Sequence, residues 1–131
     1  MITIFVDHNI EGHAKRLFST LKSLGWVEMG LLRLVTFQEL SLAVDTSDRE
    51  VWRFAQERGM LLLTGNRNMT GEDSLEQAIR DENRLDSIPV VTIANLDRVV
   101  EGPYREECAT RLASICLDID SYLGAGRVYI P

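Results

Sequence analysis

Residues 60–64, Met60-Leu61-Leu62-Leu63-Thr64, closed by Gly59 on one side and Gly65 on the other, decide the fold. The run has no alternation of polar and apolar character, so it does not suit a strand with one wet face. It fits a strand buried on both faces, as in a parallel sheet covered by helices. Working outward, two more runs have the same character: residues 2–6, which stop at Asp7-His8-Asn9, and Pro89-Val90-Val91-Thr92-Ile93. Residues 31–37 predict a further strand whose Arg33 marks one end as close to the surface, and residues 127–130 predict a short last one.

Helical spacing fills the intervals. Ile10, Ala14, Leu17, Leu21 and Leu24 recur at three- and four-residue steps, with Gly25 as the stop and Asn9 as a candidate N-cap. Ser47-Asp48-Arg49-Glu50 has the S-x-x-E form of a capping box and opens a helix carrying Val51, Trp52, Phe54 and Ala55. Thr70 with Asp73 has the same spacing ahead of Leu75, Ala78 and Ile79. The longest helix is predicted over 104–123, with Tyr104, Cys108, Leu112, Ile115, Ile119 and Leu123 on one stripe. Strands and helices alternate, which predicts a three-layer α/β/α sandwich around a mainly parallel five-stranded sheet.

Length and charge agree with one domain spanning residues 1–131. The chain has 14 basic and 20 acidic residues, a net charge of −6, and 45% hydrophobic residues. No window approaches the roughly 20 apolar residues of a membrane span, and the start lacks the basic region of a signal peptide, so a cytoplasmic protein is expected. Cys108 and Cys116 fall eight positions apart in one predicted helix, roughly 12 Å at helical rise, too far for a disulfide. His8 and His13 share no zinc-type spacing with them. The acyl-transfer motif G-x-S-x-G, the phosphate loop G-x-x-x-x-G-K-[ST] and the dinucleotide motif G-x-G-x-x-G are all absent.

In a parallel sheet, ligands bind beyond the carboxyl ends of the strands. The polar residues following the strands are therefore the candidate site: Asp7, His8 and Asn9; Asp45 and Asp48; Asn66, Arg67, Asn68, Glu72 and Asp73; Asn95 and Asp97. Carboxylates gathered in a small volume repel one another unless a cation neutralises them, and an all-oxygen set favours Mg²⁺ or Mn²⁺. Such a centre suits phosphodiester hydrolysis. Each acid also has a plain structural role open to it, Asp48 and Glu72 as first-turn acids and Asp73 as part of a capping box. Asp7, a charge ending an apolar strand, is the hardest to explain by capping.

Three places in the chain resemble the PIN-like superfamily, in particular small bacterial PIN-like proteins related to the C-terminal domain of Mut7-type nucleases. They are the strand ending in Asp7-His8-Asn9, similar to the family's D-x-N; Ser47-Asp48-Arg49-Glu50-Val51, similar to its S-D-x-x-[VIL]; and Leu62-Leu63-Thr64-Gly65-Asn66-Arg67-Asn68, where the family has a strand followed by T-x-D-x-D. The resemblance covers residues 2–93 and implies a metal-dependent ribonuclease, often the toxin of a toxin–antitoxin pair, with Mg²⁺ or Mn²⁺ held by acidic residues. Carried over, it makes Asp7 and Asp48 metal ligands and catalytic residues. The third position departs from the pattern, because Asn66 and Asn68 are neutral amides; Glu72 or Asp73, a few residues on, would restore the missing charge, and Asp73 is taken as the third metal ligand and catalytic residue. Asn9, Thr64, Asn66, Arg67 and Asn68 are the implied substrate contacts. RNA is then the expected substrate, and an antitoxin protein or a second copy of the chain the expected protein partner. The residues leave two alternatives open: a PIN-like scaffold, weakened or inactive, that binds RNA or a protein, and a self-associating protein whose acids are all caps.

Overall fold

A computed structural model of the chain describes residues 1–65 and 71–131. The elements follow the expected alternation: β1 (Ile2–Val6), α1 (Glu11–Ser23), β2 (Leu32–Val35), α2 (Asp48–Glu57), β3 (Leu61–Thr64), α3 (Leu75–Glu82), β4 (Val90–Ile93), α4 (Gly102–Leu117) and β5 (Arg127–Ile130). The five strands form one all-parallel sheet in the order β2-β1-β3-β4-β5.

Alternate side chains of each strand enter opposite layers. Ile4, Val6, Leu61, Leu63, Val91 and Ile93 pack against Ala14, Leu17 and Leu21 of α1 and Cys108, Leu112 and Ile115 of α4. Phe5, Leu62 and Val90 face the other way, onto Val51, Trp52 and Ala55 of α2 and Leu75 and Ala78 of α3. This is the three-layer α/β/α sandwich expected from the unbroken apolar runs. The period of two is hidden in the sequence because both faces are apolar.

The crossovers are not all of one hand. The chain moves outward from β1 to β2 through α1, then returns across β1 and continues through α2 and α3 on the opposite face. These three crossovers share a hand. The step from β4 to β5 continues in the same direction, yet α4 lies on the α1 face, packed against α1. The β4-α4-β5 unit therefore has the opposite hand to the other three, against a preference of about 98% for right-handed units. Tyr104, Cys108, Leu112 and Ile115 of α4 are fully or almost fully buried in the layer it shares with α1.

Several boundaries differ from the sequence expectation. The long helix stops at Leu117, and residues 119–122 form a separate 3₁₀ turn, so Ile119 and Leu123 lie outside the helical stripe. Residues 8–10 form a 3₁₀ turn capped by Asp7, whose carboxylate accepts the Asn9 N–H; Asn9 is therefore not the cap of α1. The cap of α3 is Ser74, whose hydroxyl accepts the Gln77 N–H, in place of the Thr70 and Asp73 pair; Thr70 lies outside the described residues. Ser47 caps α2 through the Glu50 N–H, as its S-x-x-E spacing requires. Both thiols are free, and burial pushes them up to about 11 for Cys108 and about 12 for Cys116, so they act as protonated packing groups. No helix among the described residues is long and apolar enough to cross a membrane.

The layered core sets a stability expectation. Leu62→Ala, in the α2 and α3 layer, should lower unfolding free energy in urea by about 2–5 kcal/mol, whereas Leu85→Ala, 94% exposed, should change it by less than about 0.5 kcal/mol. Equal effects would contradict the two-sided burial of β3.

Candidate functional site

The strand order places a crevice before any side chain is considered. Because the chain leaves β1 in one direction and returns to its other side as β3, the connections that follow these two strands diverge to opposite faces of the sheet, and a ligand can sit between them. Asp7 is the first residue beyond β1 and Thr64 the last of β3. The Asp7 N–H donates to Leu63 O at 2.9 Å, which carries the ladder one step past β1. The Thr64 hydroxyl donates to Asp7 Oδ2 at 2.7 Å, and the Asn9 N–H donates to Oδ1 at 3.2 Å. Among the described residues each Asp7 oxygen thus has one hydrogen-bond donor, and a carboxylate oxygen can accept more than one.

Asp48 arrives from the opposite side of the crevice. It is the first residue of α2, where the helix dipole favours a negative charge. Asp7, Asp48, Thr64, His8 and Asn9 line one pocket, walled by Phe37, Val44 and Thr46 from the β2 to α2 connection. His8 is held through Nδ1 by Glu11 Oε2 at 3.0 Å, with its ring 5.9 Å from that of Phe37. The sequence pattern carried no signal for the Phe37, Val44 and Thr46 wall.

Asp73, the expected third acid, is not among the residues lining this crevice. It is 69% exposed and stands 3.4 Å from Arg49 Nε, in a separate surface pocket with Glu72, Gln77 and Asp81. Arg49 is only 13% exposed and gathers this region. It donates to Asp81 Oδ2 at 2.8 Å, to Glu82 Oε2 at 2.6 Å and to the carbonyl of Glu72. Arg53, one turn on, donates to Glu82 Oε1 at 2.8 Å. The expected contacts Asn66, Arg67 and Asn68 lie outside the described residues. Asn95 and Asp97, after β4, are exposed and do not line the crevice.

Two hard carboxylates and a hydroxyl, with no sulfur donor, are a donor set suited to Mg²⁺ or Mn²⁺, which bind through one or two carboxylates and keep several waters for a substrate phosphate to replace. Among the described residues no group of three or more His, Cys, Asp or Glu side chains is placed to hold a metal ion. The arrangement is therefore a two-carboxylate one.

No family model, curated protein or solved structure matches this chain.

The Arg49 cluster carries a pH dependence. Arg49, then Gln77, hold the Asp81 carboxyl below the ordinary carboxylate range, and Arg53, then Arg49, do the same to Glu82. Because both carboxyls are more acidic folded than unfolded, the unfolded chain takes up protons first as pH falls. The stability they contribute is complete above the unfolded carboxylate range, around pH 4, and is lost as pH drops through and below it. Denaturation midpoints should fall across that range in the wild type and fall less steeply in Glu82→Gln. Identical slopes would remove the cluster from the acid response.

Proposed function

We propose that the chain is a Mg²⁺- or Mn²⁺-dependent nuclease of the PIN-like type acting on RNA, with Asp7 and Asp48 as the metal-holding carboxylates. One observation supports it above the others: two acids from distant segments meet in one crevice at the β1/β3 crossing, with a buried threonine hydroxyl fixing one of them. A first-turn position in α2 suits Asp48 taken singly, and the 3₁₀ turn explains only one oxygen of Asp7. Their meeting across the crevice is what a cation accounts for.

The chain's own groups divide the work. Thr64 and the Asn9 N–H hold the Asp7 carboxylate in one orientation and leave its remaining lone pairs toward the crevice. The first turn of α2 favours the negative charge of Asp48 through the helix dipole. Phe37 and Val44 narrow the crevice from the β2 to α2 connection. A bound divalent cation would supply Lewis acidity for the phosphoryl oxygens and a water of lowered pKa.

A second reading has an observation of its own. Arg49 engages Asp73, so the crevice keeps two carboxylates where the resemblance implied three acids. A scaffold that binds RNA or a protein partner without cutting it would have this composition.

The test is cleavage of a mixed RNA substrate with Mn²⁺ and with EDTA. Under the nuclease reading, cleavage requires the metal, Asp7→Asn and Asp48→Asn each lower the rate by about 100-fold or more, and Thr64→Val, which removes only the supporting hydroxyl, lowers it by about 10–100-fold. RNA binding that persists in EDTA, with no cleavage in Mn²⁺, would replace this reading with the scaffold.

A further inference from the structure

We infer that Arg49 is the positioning residue of the crevice: its guanidinium and backbone N–H stitch the start of α2, which carries Asp48, to residues 72–73 and to α3. The inference rests on the metal-site reading above and goes further, since it assigns a role to a side chain that does not line the crevice.

The contacts lie on three sides. The Arg49 N–H, one of the first-turn groups with no partner inside its own helix, donates to Asp73 O at 3.2 Å. Nε and Nη2 both donate to Glu72 O. Nη2 also reaches Asp81 Oδ2, and Nη1 reaches Glu82 Oε2. All three nitrogens of the guanidinium are thus engaged within the protein. Arg49 is therefore not a free phosphate grip, although it sits beside a metal-ligand candidate.

Arg53 shows what a plain staple between the two helices looks like. It is 53% exposed, its Nε donates to both carboxylate oxygens of Glu82, and Asp73 acts on it only as a nearby charge. The Arg49 contacts to the Glu72 and Asp73 carbonyls are beyond what joining α2 to α3 needs. They fix the segment that enters α3 against the turn that presents Asp48, and so fix the height and rotation of that turn relative to β1 and β3. A planar fork can satisfy a carbonyl and two carboxylates at once, whereas the compact ammonium of lysine cannot span them.

The experiment is calorimetric titration of Mn²⁺, with melting temperature measured on the same samples, for wild type, Asp7→Asn, Arg49→Lys, Arg49→Met and Arg53→Met. Both Arg49 variants should weaken Mn²⁺ binding by about 10–100-fold, the range for supporting residues behind metal ligands. Arg53→Met should leave affinity within about two-fold even where its melting temperature falls as much as that of Arg49→Lys. Wild-type affinity in Arg49→Lys would overturn the inference, because charge alone would then suffice. Should Arg49→Met fail to fold, Asp81→Asn removes one arm of the clamp away from the crevice. It is expected to weaken binding several-fold, and unchanged affinity there would count against the inference. Binding lost in Asp7→Asn but kept in the Arg49 variants overturns the Arg49 role alone. No binding in wild type overturns the metal site and the Arg49 role together.

Discussion

The parallel pairing of β1 with β3, out of chain order, is the constraint on which the rest of the molecule depends. Ile4 lies beside Leu61, Phe5 beside Leu62 and Val6 beside Leu63, so the two strands end within one residue of each other. To pair them, the chain must first go out to β2 on one face and come back over β1 on the other. That path opens a crevice at the carboxyl ends and decides which residues border it. The same register that buries Val6 and Leu63 among α1 and α4 turns Asp7 and Thr64 toward the α2 face, where the Thr64 hydroxyl meets the Asp7 carboxylate and Asp48 begins the helix.

The alternation of strands and helices was legible because each buried strand is an apolar run ended by glycine or polar residues, and each helix carries a regular stripe. Asp7 and Asp48 were legible as candidates for a related reason: both stand at element ends on the edge where a parallel sheet binds ligands. The side of the sheet taken by α4 was not legible, because its stripe records that it is buried and nothing about against what. The end of α4 was also obscured. Ile119 continues the helical spacing, yet the chain turns at Asp118 into a 3₁₀ segment and still packs Ile119 on the same core.

Asp73 shows where local spacing misleads. Its position after β3 matched both a cap and a ligand, but its contacts are set by Arg49, twenty-four residues earlier in the chain. The partial signal lay in charge pattern between helices: Arg49 and Arg53 share one face of α2, and Asp81 and Glu82 close α3. Such complementarity becomes readable only once the two helices are known to be neighbours. It also divides the acidity of the chain. Part of the net charge of −6 is balanced locally by two arginines beside α3, while the crevice acids are oriented by a hydroxyl, a backbone N–H and a helix terminus.

The central claim is that a divalent cation belongs at the β1/β3 crossing, and the direct measurement is the paramagnetic broadening of backbone amide resonances by substoichiometric Mn²⁺. The account expects broadening centred on Asp7, His8, Asp48 and Thr64, with little at Asp81 and Glu82, and its loss in Asp7→Asn. Broadening centred on residues 72–82, or none at all, would contradict it.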